Sequence, residues 1–540
     1  MLHERFSHKS PYRASLSCPE CALALIATQG LYLDARSATG GIDQYNMTGG
    51  LLEINGSLGI AGNADTSTYQ INLGGGTVKS NATWASGSPM TFTGTNGNVT
   101  FDTNGNTVTL NGLLSGAGGL IKDGAGTLTF NADNTYAGST VIDGGTLVLN
   151  TPHFNTYRGA GVFINNGSTF RVTRSGGANR YDFTNKTFTF DSAGGGTIDT
   201  SSGVNFVFWN PGNTFVTNGG AQNSIIGTSG FNVNTGAAAT FDVIRGSGTS
   251  DLKMTARIWN GGSVVKTGDG ILEFTGNNTY AGPTTVSDGV LALSGSYANN
   301  IAASPTITVA EDAVLDVTGL NNGTLALSTL AGPPTAPQTL QGSGTVVGSI
   351  GGSGMVSPGT SPGILTATAV SPSDGLDFAF EFTATGSPDY TDTTQSVNDV
   401  LRLTDPSAPF AGPLGVENVV DVYLDVTDLS LGDTFRGGFY TDRGSEFLAD
   451  IVDGTLSIWI AGSGGSREFG GKFYYAFEDL APVGGILLST VPETALFATG
   501  SVDGYVMQLS AVPEPSTLLL AALGMLGLGI AGWRRRRRHS

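Results

Sequence analysis

The chain has 540 residues, 82 of them glycine, with only 13% charged side chains and a formal net charge of −18. That length supplies two or three domains and ample core, and a chain rich in Gly, Thr, Ser and Asn is poor in helix formers, so an all-helical fold is excluded and all-β is the default. The acidic balance argues against nucleic acid as a partner, and histidines at 3, 8, 153 and 539 alone leave almost no material for a His-based triad or zinc site.

In chain order, residues 1–39 read as an export-related or disordered segment. Arg5, Lys9 and Arg13 precede a mildly apolar run from Cys21 to Ala27, in the order of a secretory n-region and h-region, although the run is short and broken by polar residues. Cys18 and Cys21 have redox or half-zinc-site spacing, but no further ligands can be placed, so no metal or redox role is assigned. No other cysteines follow, and the long body cannot depend on disulfides.

From 40 to 366 the text is one material, short alternating segments separated by Gly, Asn, Ser and Asp. Its organising stretch is LIKDGAGTLTFNADNTYAGSTVIDGGTLVL at 120–149, written again as VVKTGDGILEFTGNNTYAGPTTVSDGVLAL at 264–293. Leu128 with Phe130 and Leu147 with Leu149 are spaced by two and point to one face of a strand, as do Leu272 with Phe274 and Leu291 with Leu293. One such face is too small to bury alone, whereas stacked coils turn many of them into a continuous core, so the expected fold is a solenoid. The shared Lys122/Lys266, the paired glycines and the Asn-Thr-Tyr-Ala-Gly segments resemble the autotransporter-associated β-strand repeat. That resemblance implies a right-handed parallel β-helix in exported bacterial proteins and implies no chemistry.

Residues 371–510 have more charge and longer strands, among them Asp377 to Phe382 and Val420 to Val426, and read as a smaller β-sandwich-like domain abutting the helix end. Asp421, Asp425 and Asp428 suggest calcium only weakly, since their spacing departs from an EF-hand and a solvated strand face explains them. The final segment, 512–540, holds Val512, Pro513, Glu514, Pro515, Ser516 and Thr517, then an apolar run, then Arg534, Arg535, Arg536, Arg537 and Arg538. A helix over 517–533 would span roughly 25 Å against a hydrocarbon core of about 30 Å, a single transmembrane helix with its arginines on the cytoplasmic side. Pro-Glu-Pro, one apolar helix and a basic end resemble the PEP-CTERM sorting signal. That resemblance implies an exosortase-type membrane protease as partner, passage through the inner membrane, and delivery to the cell envelope, surface or extracellular matrix of a Gram-negative bacterium.

Catalytic material is sparse. Asp199, Asp242 with Arg245, and Asp251 with Lys253 are the candidates for a β-helix polysaccharide lyase or glycosidase, yet isolated acids in Gly-rich and Thr-rich coils are ordinarily turn residues. The Asn134-Thr135-Tyr136 and Asn278-Thr279-Tyr280 corners read as Asn turning the backbone while Tyr packs, rather than as a ligand ladder. The expectation is a structural or adhesion protein associated with exopolysaccharide, with no catalytic residue, cofactor or metal. A self-translocating autotransporter is disfavoured, because it would end in a membrane barrel.

Overall fold

In the computed structural model the short strands bury every second side chain, as alternation requires: Leu51–Ile54, Thr77–Ser80, Thr127–Phe130 and Ile271–Phe274 all alternate partly exposed with buried residues. The structure describes residues 15–16, 24–27, 31–35, 42–64, 68–151, 155–156, 158–174, 180–183, 185–201, 205–208, 212–227, 230–330, 336–360, 362–371, 375–388, 390, 398–404, 420–426, 432–441, 456–460, 466–469, 473–476, 485–497 and 500–512. Their fold is an all-β parallel solenoid of right-handed type, without an α-helix among the described residues. The chain divides into two units, Met1–Gly282 with Gly289–Leu291, and Pro283–Asp288 with Ala292–Ser540.

In the first unit one wall runs through Leu51–Ile54, Thr77–Ser80, Val99–Asp102, Leu120–Asp123, Thr140–Ile142, Val162–Ile164, Thr187–Phe190, Asn213–Asn218, Ala238–Ile244 and Ser263–Thr267, each parallel to the next. A second wall stacks Trp84–Ser86, Thr107–Leu110, Thr127–Phe130, Thr146–Thr151, Thr169–Arg174, Thr197–Thr200 and Asn223–Gly227. Its inward column, Trp84, Val108, Leu128, Leu147, Phe170, Ile198 and Ile225, is almost wholly excluded from water. At about 1.5–3 kcal/mol per buried large apolar side chain, such columns are the main source of stability. On the first wall Phe188, Phe215 and Phe241 stack with centroids 5.2 and 5.1 Å apart, close to the strand spacing of about 4.8 Å.

Coil length varies along the stack. Asn46 and Asn72 bond across 26 residues, where a third wall of strands is present. Asn111, Asn131 and Asn150 bond across 20 and 19 residues, where the first repeat closes the coil with a corner in place of the third strand.

The second unit differs from the sequence expectation. Met355–Pro358, Asp377–Phe382, Val420–Val426 and Leu456–Ile460 form one parallel ladder, and Thr345–Gly352, Ile364–Ser371, Val400–Leu403 and Thr434–Thr441 form another. Parallel pairing thus runs through 371, and no separate β-sandwich is found among the described residues. The described strands turn antiparallel in the short pair Thr329–Leu330 with Ala336–Pro337 and again at the end, where Ser466–Phe469 and Phe473–Ala476 lead into a long hairpin of Gly485–Phe497 and Gly500–Val512 set against Thr434–Thr441. That hairpin occupies the backbone groups of the last coil, which an open edge would leave unpaired.

Two further expectations meet the structure differently. Within the segment expected to be a leader or disordered, Ala24–Ala27 pairs in parallel with Leu51–Ile54, and Leu31–Ala35 with Ile60–Ala64. The expected transmembrane helix 517–533 lies outside the described residues, among which no helix is long and apolar enough to cross a membrane.

Candidate functional site

The parity that turns Leu120 inward also turns Lys122 inward, between Phe101 and Ile142 on the first wall. Its side chain is fully buried. The ammonium donates to the carbonyls of Asp123 at 2.9 Å, Gly124 at 2.7 Å and Gly144 at 2.9 Å, tying one coil's corner to the next. Lys266 repeats the arrangement, donating to Thr267 O at 2.9 Å and Gly268 O at 2.6 Å. Gly124 and Gly268 adopt φ of +76° and +75°, aiming their carbonyls at the ammonium, and a Cβ on Gly124 would lie 2.6 Å from the Asn104 amide nitrogen. Burial pulls Lys122 down to about 8, with Asp123 and Asp102 pulling the other way. The repeat's lysine thus stands as a clasp between successive corners. The repeat pattern marks this lysine without revealing its role, although its spacing of two from Leu120 places it on the inward face.

The repeat residues Leu128, Phe130, Leu147, Leu149, Leu272, Phe274, Leu291 and Leu293 are all buried. The Asn-Thr-Tyr corners are structural. Asn134 Oδ1 accepts the Leu114 amide and Asn278 Oδ1 the Ile258 amide, each at 2.8 Å. Tyr136 is buried, its hydroxyl 2.7 Å from Thr140 Oγ1 and its ring 5.4 Å from Phe92.

The candidate carboxylates are held by donors of their own. Asp251, 1% exposed, accepts from Arg245 Nη1 and from the amides of Gly246 and Ile271, each at 2.7 Å. It pairs with Arg245, whereas Lys253 bonds Glu273 at 3.0 Å. Burial works to raise Asp199, but donors from Ser201 and Arg171 outweigh it and hold the carboxyl below its ordinary value. Asp242 takes the Thr267 hydroxyl at 3.4 Å. The structure thus joins Asp251 with Arg245, while Lys253 pairs with Glu273 and Asp242 takes the Thr267 hydroxyl.

Asp421 and Asp425 lie on the strand Val420–Val426, while Asp428 is outside the described residues. Among the described residues no group of three or more His, Cys, Asp or Glu is placed to hold a metal. Val512 ends the strand Gly500–Val512; the rest of the sorting motif from Pro513 to Thr517, and Arg534 to Arg538, lie outside the described residues, as do Cys18, Cys21 and His153.

Comparison with known families identifies residues 120–149 and 264–293 as passenger-associated-transport repeats and residues 511–538 as a PEP-CTERM protein-sorting motif. A stretch of 51 residues, 9% of this chain, is 51% identical to an extracellular serine protease of Serratia marcescens, and the match spans 5% of that protein's length.

Proposed function

From a chain that carries passenger-associated-transport repeats on a β-solenoid and a PEP-CTERM sorting motif, we propose an exported protein whose work is to present an extended surface at or beyond the cell envelope. The motif carries this reading. Its apolar run 517–533 is the length of a short membrane helix, and Arg534 to Arg538 hold the cytoplasmic end. Pro513 and Pro515 stop that helix from extending outward and keep the peptide extended, the form a membrane protease of the exosortase type can accept. The role is structural rather than catalytic. Its support is that the candidate carboxylates sit in their own hydrogen-bond sets and the repeat's amine faces the core. Association with exopolysaccharide and adhesion are the form this presentation takes.

Expression in a Gram-negative host with a working exosortase tests the reading. Intact mass measurement should show wild-type protein without Arg534 to Ser540, and P513A/P515A protein retained in the inner membrane with its tail attached. Wild-type protein that keeps its tail in such a host overturns it.

A further inference from the structure

The second wall of the first unit carries an uncharged grid on its outer face. Thr107 and Thr109 on one coil lie in register with Thr127 and Thr129 on the next, and all four side chains are exposed or partly exposed. Among the described residues their hydroxyls have no hydrogen-bond partner. Two positions beyond Thr109 and Thr129, just past the strand ends, an amide ladder borders them, with Asn131 Nδ2 donating to Asn111 Oδ1 at 2.7 Å and Asn150 Nδ2 to Asn131 Oδ1 at 2.9 Å. An Asn side chain has two donor hydrogens and two acceptor lone pairs, so each ladder member keeps outward capacity after bonding its neighbours. The Thr109 and Thr129 column ends at the next coils, where Val148 is buried and Arg171 follows it in register, while the Thr107 and Thr127 column continues into Thr146 and Thr169.

We infer that this grid binds a neutral polysaccharide chain. The repeat distances are fixed by the sheet, about 4.8 Å between coils and roughly 6.6 Å between alternate residues, so the groups form a periodic array matched to a periodic, hydroxyl-bearing ligand. Hydroxyls and amides both donate and accept, which suits sugar hydroxyls, and the threonine methyls offer an apolar floor to the C–H faces of the rings. Charge selects the class. A chain with net charge −18 repels polyanions, and a grid without a carboxylate gives a basic partner nothing to pair with. The inference rests on the surface-presenting reading above and specifies its partner.

The test is cosedimentation of the detergent-solubilised full chain with cellulose, an uncharged insoluble glucan, beside capture on alginate beads as the acidic counterpart. Wild-type protein should bind cellulose and not alginate. T109K/T129K should lose about tenfold in retention, and the near-isosteric N131D a similar amount, while T189K on the outer face of the first wall leaves it unchanged. Unaltered proteinase K resistance of these variants separates lost binding from lost folding. Binding to alginate alone overturns this inference and leaves the surface-presenting role standing. Binding to neither matrix overturns the inference while tail removal continues to report on the sorting reading separately. A grid-dependent dimer in sedimentation, lost in T109K/T129K, would make a second copy the occupant and also overturn it.

Discussion

Lys122 shows how a single residue can contradict the usual rule for its type. A buried ammonium is expensive, and it persists because three carbonyls at 2.7–2.9 Å replace its hydration with charge-assisted bonds. Lys122→Met keeps the volume and leaves those acceptors without the donor, so it should cost about 3 kcal/mol of stability in urea unfolding. A neutral or stabilising effect would remove the clasp from the account. Asp399, 3% exposed, poses the opposite case. Burial raises its carboxyl from 3.8 to about 8, opposed by the amides of Glu381 at 2.7 Å and Gly363 at 2.8 Å and assisted by the charge of Glu381. The folded chain therefore holds this proton up to a pH of about 8, while the unfolded chain releases it near 4. Between those values the folded form binds more protons, so stability contributed by this group falls as pH rises. Urea midpoints across that window should show the decline in the wild type and a flatter profile in Asp399→Asn, whatever that variant's own stability. Neither residue was legible as a special position from its type, but Lys122 was legible from parity with Leu120.

At the scale of the strand, alternation carried most of the information. Leu128 faces the core and Thr129 the outside within one strand, so Leu128→Asp buries an unpaired charge and should cost more than about 4 kcal/mol. Thr129→Asp should stay within about 1 kcal/mol. Protease resistance of the two variants checks the contrast, and equal effects would mean that the inward face is misassigned. What alternation does not encode is strand direction. Asp377–Phe382 has the same in-out pattern whether its neighbours run parallel or antiparallel, which is why its alternation is as compatible with a sandwich as with the parallel ladder it joins. Direction is decided by the length and path of the connections, and these are not periodic in the sequence.

For the molecule as a whole, the repeat and the sorting motif were legible because each combines unlike elements in a fixed order: lysine, glycines and an Asn-Thr-Tyr corner in one, Pro-Glu-Pro, an apolar run and arginines in the other. The threonine and asparagine grid was not legible, since Thr107 and Thr127 become neighbours only when coil length sets the register between them. The clasp has a last consequence for an exported protein. Where many extracellular modules recruit a dissolved ion to neutralise converging carbonyls, this repeat supplies the positive charge on a covalent tether. A chelator cannot strip a lysine, so these three contacts are expected to survive removal of dissolved ions, and equal urea midpoints with and without EDTA would check it.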